Sequence, residues 1–298
     1  MRPDRSTTSA GTDRGPRYRW TVALGLALAA ELAVAATMIL TAQPGAVPPG
    51  GTASPVASPP VGSPSAGTLR LPDGRSLYLV GTAPVLARVA AEIPGAVDAV
   101  VGFWGDDWNP RIVIVATDSD AQFATETRQR AGQWNDVAAA TVADGFDPVR
   151  RIVTGERIVL APGANAMSAG SLRIVLRHEL FHYASRADTA ADAPRWVAEG
   201  VADYVGRPRT PVSGQAGTAA QLPSDADFDT TGPQLSAAYD RAWLFARFVA
   251  EGYGPAVLRR LYLLACGPGH PDAATAVSVA LGAPLPDVLS GWRRWLAG

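Results

Sequence analysis

Lysine is absent from this 298-residue chain, and all 26 of its basic residues are arginine. That excludes lysine Schiff bases and phosphate-binding P-loops. A single cysteine, Cys266, excludes an internal disulfide framework, a four-cysteine zinc site and an iron–sulfur cluster. Cys266 falls among apolar residues and reads as a small buried hydrophobe. A basic excess is also missing: 26 arginines face 27 acids, a formal net charge of −1, which argues against nucleic acid as a partner. Histidine is scarce, with His178, His182 and His270 making up the whole set. Apolar residues, by contrast, reach 47% against 18% charged, enough to bury a core.

Composition divides the chain into four stretches. Residues 1–19 form a basic tail, with Arg2, Arg5, Arg14, Arg17 and Arg19 against Asp4 and Asp13. Residues 20–42 run almost without polar groups, from Trp20 to Ala42. As a helix rising about 1.5 Å per residue, this stretch reaches roughly 34 Å, enough for a hydrocarbon core of about 30 Å. It exceeds the roughly 7–15 apolar residues of a cleaved signal peptide, which favours a transmembrane signal anchor. Cleavage would instead release a secreted form. The preceding arginines predict a cytoplasmic N-terminus and an extracytoplasmic remainder, a single-pass arrangement in the cell membrane. Glu31 interrupts the run and either meets another membrane helix or is simply tolerated. Residues 43–67 hold seven prolines in 25 positions and no charge, a disordered linker. Residues 68–298, with 21 arginines against 24 acids and a net charge of −3, read as one soluble domain.

Within that domain strands come first and helices dominate later, an α+β arrangement. Strands are expected on either side of an Asp73-Gly74 turn, over Arg111–Ala116, over Val137–Val142 and over Glu156–Ala161. The strand at 156–161 fits a sheet edge, where it could pair with an extended substrate, and fits an interior position equally well. Helical spacing covers Pro84–Phe103, where Pro94 is expected to break or kink the helix, and Asp118–Arg130. Further helices are expected over Ser168–Ser185, Pro194–Val205, Gln234–Val249 and Pro255–Cys266, with short ones to the end. Asp192 is placed to cap the helix that Pro194 begins.

His178-Glu179-Leu180-Phe181-His182 is an HExxH sequence inside the Ser168–Ser185 helix. With three histidines and seven glutamates, chance gives only roughly 7 × 10⁻⁴ such matches. Residues four apart share a helix face, so both imidazoles can reach one Zn²⁺ ion. Glu179 can then serve as general base toward the water that the metal acidifies. Leu172, Leu176, Leu180 and Tyr183 occupy another face and anchor the helix in the core. Glu199 follows at a spacing that allows a turn and an antiparallel return, which makes it the candidate third ligand. Gly200 removes a side chain where two helices would approach closely. Asp203, one turn further, is the candidate carboxylate behind His178. Each of these has an ordinary competing reading, as packed histidines or surface acids.

HELFH followed by Trp196-Val-Ala-Glu-Gly-Val-Ala-Asp-Tyr204 resembles the gluzincin metallopeptidases, in particular peptidase MA-like domains. The likeness extends over Tyr239–Val249, Tyr253-Gly254 and Gly282–Leu296, so it spans roughly residues 110–298. It implies a zincin-like catalytic part with His178, His182 and Glu199 on the metal and Glu179 as base. Members commonly use a C-terminal tyrosine or histidine to stabilise the oxyanion, which points to Tyr239 first and His270 second. It also implies that the strand at 156–161 lines the substrate. The Gly-Ala-Met-Glu-Asn motif of the large aminopeptidases is absent, so nothing indicates aminopeptidase specificity.

The expectation is a membrane-anchored, extracytoplasmic zinc metallopeptidase that cleaves peptide or protein substrates. A zinc-bearing but non-proteolytic exported domain, binding a protein or cell-envelope partner, is the alternative. A purely structural domain that never takes zinc is the third.

Overall fold

The computed structural model describes residues 66–128, 137–147, 150–210 and 220–298. The expected tail and anchor, and the linker up to residue 65, lie outside them. No single helix among the described residues is long and apolar enough to cross a membrane.

The Asp73-Gly74 turn joins β1 (Ala66–Arg70) to β2 (Ser76–Val80) in an antiparallel hairpin. Gly74 takes a φ of 90°, which only glycine adopts readily, and the Arg75 backbone N–H donates to Asp73 Oδ1 at 3.0 Å. From β2 the chain crosses through α1 (Val85–Trp104) to β3 (Arg111–Ala116), which pairs with β2 in parallel. The expected break at Pro94 does not occur, and α1 runs through it. A helix-interior proline costs about 3 kcal/mol. The stripe Val85, Val89, Ile93, Val97, Val100 and Trp104 is buried, each side chain contributing roughly 1.5–3 kcal/mol, and together they offset that cost.

The next helix, α2 (Asp120–Thr127), is shorter than its expected span. Ser119 Oγ caps it by accepting from the Gln122 N–H at 3.2 Å, and Arg128 ends it in the left-handed region at φ 56°. Strand β4 (Ala139–Val142) is followed by a small hairpin of β5 (Gly145–Asp147) and β6 (Ile152–Thr154), then by β7 (Arg157–Leu160). The hairpin was not expected, because three-residue strands are too short to show a period of two. The main sheet has the order β1-β2-β3-β7-β4, with β7 parallel to β3 and antiparallel to β4. The strand around residues 156–161 is therefore interior, and β1 and β4 are the edges.

The helical half comprises α3 (Ala169–Ser185), α4 (Arg195–Gly206), α5 (Gly232–Tyr253), α6 (Pro255–Cys266), α7 (Ala273–Leu281) and α8 (Leu285–Ala297). Ser168 Oγ caps α3 by accepting from the Ser171 N–H at 3.1 Å. Asp192 does not cap α4, since its side chain is 86% exposed and the Arg195 N–H goes instead to Asp225 Oδ1 at 3.0 Å. A carboxylate 30 residues later in sequence has taken the position that a local residue was expected to fill.

Helix α3 is enclosed almost all round, as a central helix must be. Phe181 packs edge-on against Trp104 of α1 and Tyr262 of α6, with ring centroids at 5.5 and 5.3 Å. Helix α4 then fits between α3 and α5 through two glycines. A Cβ on Gly200 would lie 2.5 Å from the Ala242 carbonyl oxygen of α5. A Cβ on Gly206 would lie 3.0 Å from the Ile174 carbonyl oxygen and 3.4 Å from His178 Cβ.

These distances set opposite signs for two substitutions of one kind. Gly200→Ala must push α4 off α5 and is expected to cost about 1–3 kcal/mol. Gly95→Ala in α1 meets nothing within 4 Å and is expected to stabilise by about 0.5–1 kcal/mol. Denaturant midpoints of the two variants check both, and equal effects would contradict the close approach.

Candidate metal centre

One turn apart on α3, His178 and His182 bring their Nε2 atoms within 3.0 Å of each other. From α4, Glu199 Oε2 lies 3.2 Å from His178 Nε2 and 3.5 Å from His182 Nε2. All three side chains are buried. Among the described residues this is the one group of histidine, cysteine and acidic side chains whose ligand atoms could hold a metal, all within 4.8 Å of one another.

The donor set fits zinc. Four-coordinate zinc with bonds of about 2.0–2.1 Å places its ligand atoms about 3.3 Å apart along the edges of a tetrahedron. The three observed separations bracket that value. His178 Nδ1, on the far side of the ring, lies 2.9 Å from Asp203 Oδ1. With its proton held there, the imidazole turns its Nε2 lone pair toward the cluster.

Electrostatics in the metal-free protein follow from burial and pairing. Burial opposes charge on His178, but Asp203 and Glu199 outweigh it and raise the imidazole from 6.5 to about 10. Burial likewise opposes charge on Glu199, yet the His182 charge and the contacts to both imidazoles bring it down from 4.5 to about 2. Glu179 is raised above its ordinary range, mainly by burial, with both imidazoles pulling the other way. Its Oε2 accepts from Thr141 Oγ1 at 2.7 Å, while Oε1 is buried with no hydrogen-bond partner among the described residues. Thr141 was not singled out from the sequence. It sits on the edge strand β4, 38 residues before Glu179, and a threonine in a short buried strand carries no signal of its own.

Tyr239 and His270 end in different places. Tyr239, on α5, is buried with its ring 6.4 Å from that of His178 and edge-on to Phe228 at 5.2 Å. Burial, reinforced by Glu199 and Asp203, pushes its phenol well above the ordinary value of 10, so it stands as a neutral O–H donor. His270 lies in the turn between α6 and α7, with Nδ1 2.8 Å from the Pro271 carbonyl and Nε2 3.4 Å from Asp192. It makes no hydrogen bond, ion pair or ring contact with His178, Glu179, His182 or Glu199 among the described residues. Cys266 is fully buried, and burial raises its thiol above the ordinary range, which makes it inert. A cavity of about 190 Å³ adjoins His182 and Glu199, with Ser185, Thr189, Ala198 and Tyr262 in its wall.

No protein-family model and no curated protein matches this chain. Solved structures similar to it include two of a two-domain M1 zinc metallopeptidase in mutant form. The complex with L-tryptophan shares 16% identity at a TM-score of 0.42, and the complex with L-arginine 14% at 0.39. Each comparison covers 80% of this chain and 52% of the other, so the chain spans about half the length of those structures.

The pKa shifts predict how the metal-free protein responds to pH. His178, raised to about 10, contributes stability fully below its ordinary 6.5 and loses it as pH rises through 10. Glu199, lowered to about 2, contributes above 4.5 and loses it as pH falls toward 2. The pair therefore stabilises most between pH 4.5 and 6.5, and Glu179 adds to the decline on the alkaline side. Denaturant midpoints in the presence of a chelator are expected to fall from about pH 6 to about pH 9. A rise across that range would contradict the assignment.

Proposed function

We propose that this chain is a zinc-dependent peptidase of the gluzincin type, its domain held outside the cytoplasm by the segment at residues 20–42. The observation that carries the reading is the state of Glu179: one carboxylate oxygen is fixed by Thr141 and the other is buried without a partner, beside a convergent His₂Glu set. A structural metal site has no use for such a group. A general base needs it.

His178, His182 and Glu199 would hold one zinc ion, leaving the fourth position open as catalytic sites do. Zinc bound there supplies Lewis acidity, lowering the pKa of a water and polarising the scissile carbonyl. Glu179 Oε1 accepts the proton of the attacking water and passes it to the departing amine nitrogen. Thr141 keeps the carboxylate oriented during both transfers. The Tyr239 O–H, neutral across the working pH range, donates to the oxygen that becomes negative as the carbonyl carbon turns tetrahedral. Strand β4, one edge of the sheet, touches Glu179 through Thr141, and an extended peptide adds its backbone there only if this buried edge opens.

A second reading, a zinc-bearing domain that binds a partner without cutting it, is favoured by the enclosure of the site. Glu179 is 0% exposed and the three candidate ligands are 2–3% exposed. A substrate has to open this site before it can be cleaved.

One set of variants of the full chain separates the readings. Glu179→Gln is expected to keep one zinc per chain and lower peptide cleavage by about 10²–10⁴-fold. Tyr239→Phe is expected to keep zinc and lower kcat by about 10²–10³-fold. His178→Ala is expected to lose the metal. Undiminished cleavage by Glu179→Gln would sink the peptidase mechanism. Bound zinc with no peptide of a library cut by the wild type would favour the binding domain, and absence of zinc the purely structural one.

A further inference from the structure

Behind His178 stands an arginine that the sequence motifs did not mark. Asp203 divides its carboxylate, with Oδ1 2.9 Å from His178 Nδ1 and Oδ2 2.7 Å from Arg207 Nη2. The other arm of the same guanidinium, Nη1, donates to Asp240 Oδ1 on α5 at 2.6 Å. The backbone N–H of Arg207 also donates to the Asp203 carbonyl at 2.8 Å, so the two residues are tied at main chain and side chain. Trp243 lies against the guanidinium with its ring centroid 5.1 Å from Cζ. Asp203 is buried and the Arg207 side chain is only 9% exposed, whereas the Asp240 side chain is 45% exposed.

We propose that Arg207 is a positioning residue for the metal centre, holding the Asp203 carboxylate in the one orientation that turns His178 Nε2 toward the metal. This rests on reading His178, His182 and Glu199 as a zinc site. A carboxylate bound on one oxygen alone can rotate about its Cβ–Cγ bond, and the imidazole it holds turns with it. Securing the second oxygen removes that freedom. Nearly enclosed, Asp203 has no bulk water to do this, so the fixing group has to be a protein donor. A planar fork suits the task because its two arms reach carboxylates on two different helices at once, which a lysine ammonium does less rigidly. The result is a line of charged contacts from Asp240 on α5, through Arg207 at the end of α4 and Asp203 within it, to His178 on α3. Tyr239 is the residue before Asp240, so the same line sets the helix that carries the proposed oxyanion donor relative to the ligand helix.

An independent feature puts Arg207 where this requires. Helix α4 ends at Gly206, whose missing side chain lets the helix end rest on the turn of α3 that bears His178. Any larger residue would lift Arg207, and Asp203 with it, away from the imidazole. Burial disfavours charge on the guanidinium, but Asp203 and Asp240 more than compensate and keep it cationic.

A double-mutant cycle on zinc affinity tests this without reference to activity. Zinc dissociation constants of the full chain are measured against a chromophoric chelator for the wild type, Arg207→Met, Asp203→Asn and the double variant. Arg207→Met is expected to weaken zinc binding by about 10–100-fold, the range for groups that orient a ligand. In the Asp203→Asn background the same substitution is expected to change the constant by less than about two-fold, because its effect passes through Asp203. A Kd within about two-fold of wild type for Arg207→Met, or an equal loss in both backgrounds, overturns the proposal. Should Arg207→Met not fold, Asp240→Asn replaces it. That variant removes the outer clamp at a half-exposed position, and a few-fold weakening that vanishes with Asp203→Asn is expected. An unchanged Kd overturns the proposal there too. Wild-type protein that takes up no zinc would remove the site reading itself, an outcome distinct from tight wild-type binding that Arg207 does not influence.

Discussion

Burying charge beside charge is the constraint on which this structure depends. Glu179, Glu199 and Asp203 surround two imidazoles, and none of the five residues is more than 4% exposed. Removing an ion from water costs several kcal/mol even after relaxation, and only close opposite charges and hydrogen bonds offset it. Each group accordingly has a partner that limits its freedom. Asp203 faces His178 and Arg207, Glu199 faces both imidazoles, and Glu179 takes a hydrogen bond from Thr141. Glu199 Oε2 and Asp203 Oδ2 make no hydrogen bond but lie against the imidazoles and Arg207, whereas Glu179 Oε1 is buried with no hydrogen-bond partner among the described residues. In a native core such an atom calls for a chemical reason. The proton transfer proposed for Glu179 supplies one.

Packing brings these groups together from distant parts of the chain. Helix α3 carries both histidines, and its other faces meet α1, β4 and β7, so the sheet acts as the floor that fixes its rotation. Helix α4 brings Glu199 and Asp203 one turn apart to the remaining face. It can come that close because Gly200 lies against the backbone of α5 and Gly206 against that of α3. The aromatic contacts of Phe181 with Trp104 and Tyr262 anchor the helix directly beside His182. Cluster geometry and helix packing are thus one problem, and a shift of either helix by an ångström would separate the ligand atoms.

The sequence shows much of this, unevenly. The span of α3 was legible because an apolar stripe and the spacing of His178 and His182 both follow from a period of 3.6 residues. Gly200 and Asp203 were legible for the same reason, each lying at a set interval from Glu199. Pro94 misled, because local backbone cost said nothing about the buried stripe that outweighs it. Asp192 misled in the same way, since the donor at the start of α4 found Asp225 instead. Thr141 and the β5–β6 hairpin gave no pattern at all. Arg207 left a faint one: it stands four residues after Asp203, a spacing that pairs charges on a helix.

By itself, then, the sequence determined which groups are available: two histidines four residues apart, a glutamate beside the first of them and a carboxylate at a plausible return distance. Those are local matters, decided by helical period and residue type. Only the tertiary structure decided which strands are the sheet edges, that Tyr239 lies beside His178 while His270 faces Asp192, and that Thr141 and Arg207 stand behind Glu179 and Asp203. Such contacts join residues that the chain separates by tens of positions or that depend on how helix ends abut. They are set by the packing of whole elements, for which no spacing along the sequence is a measure.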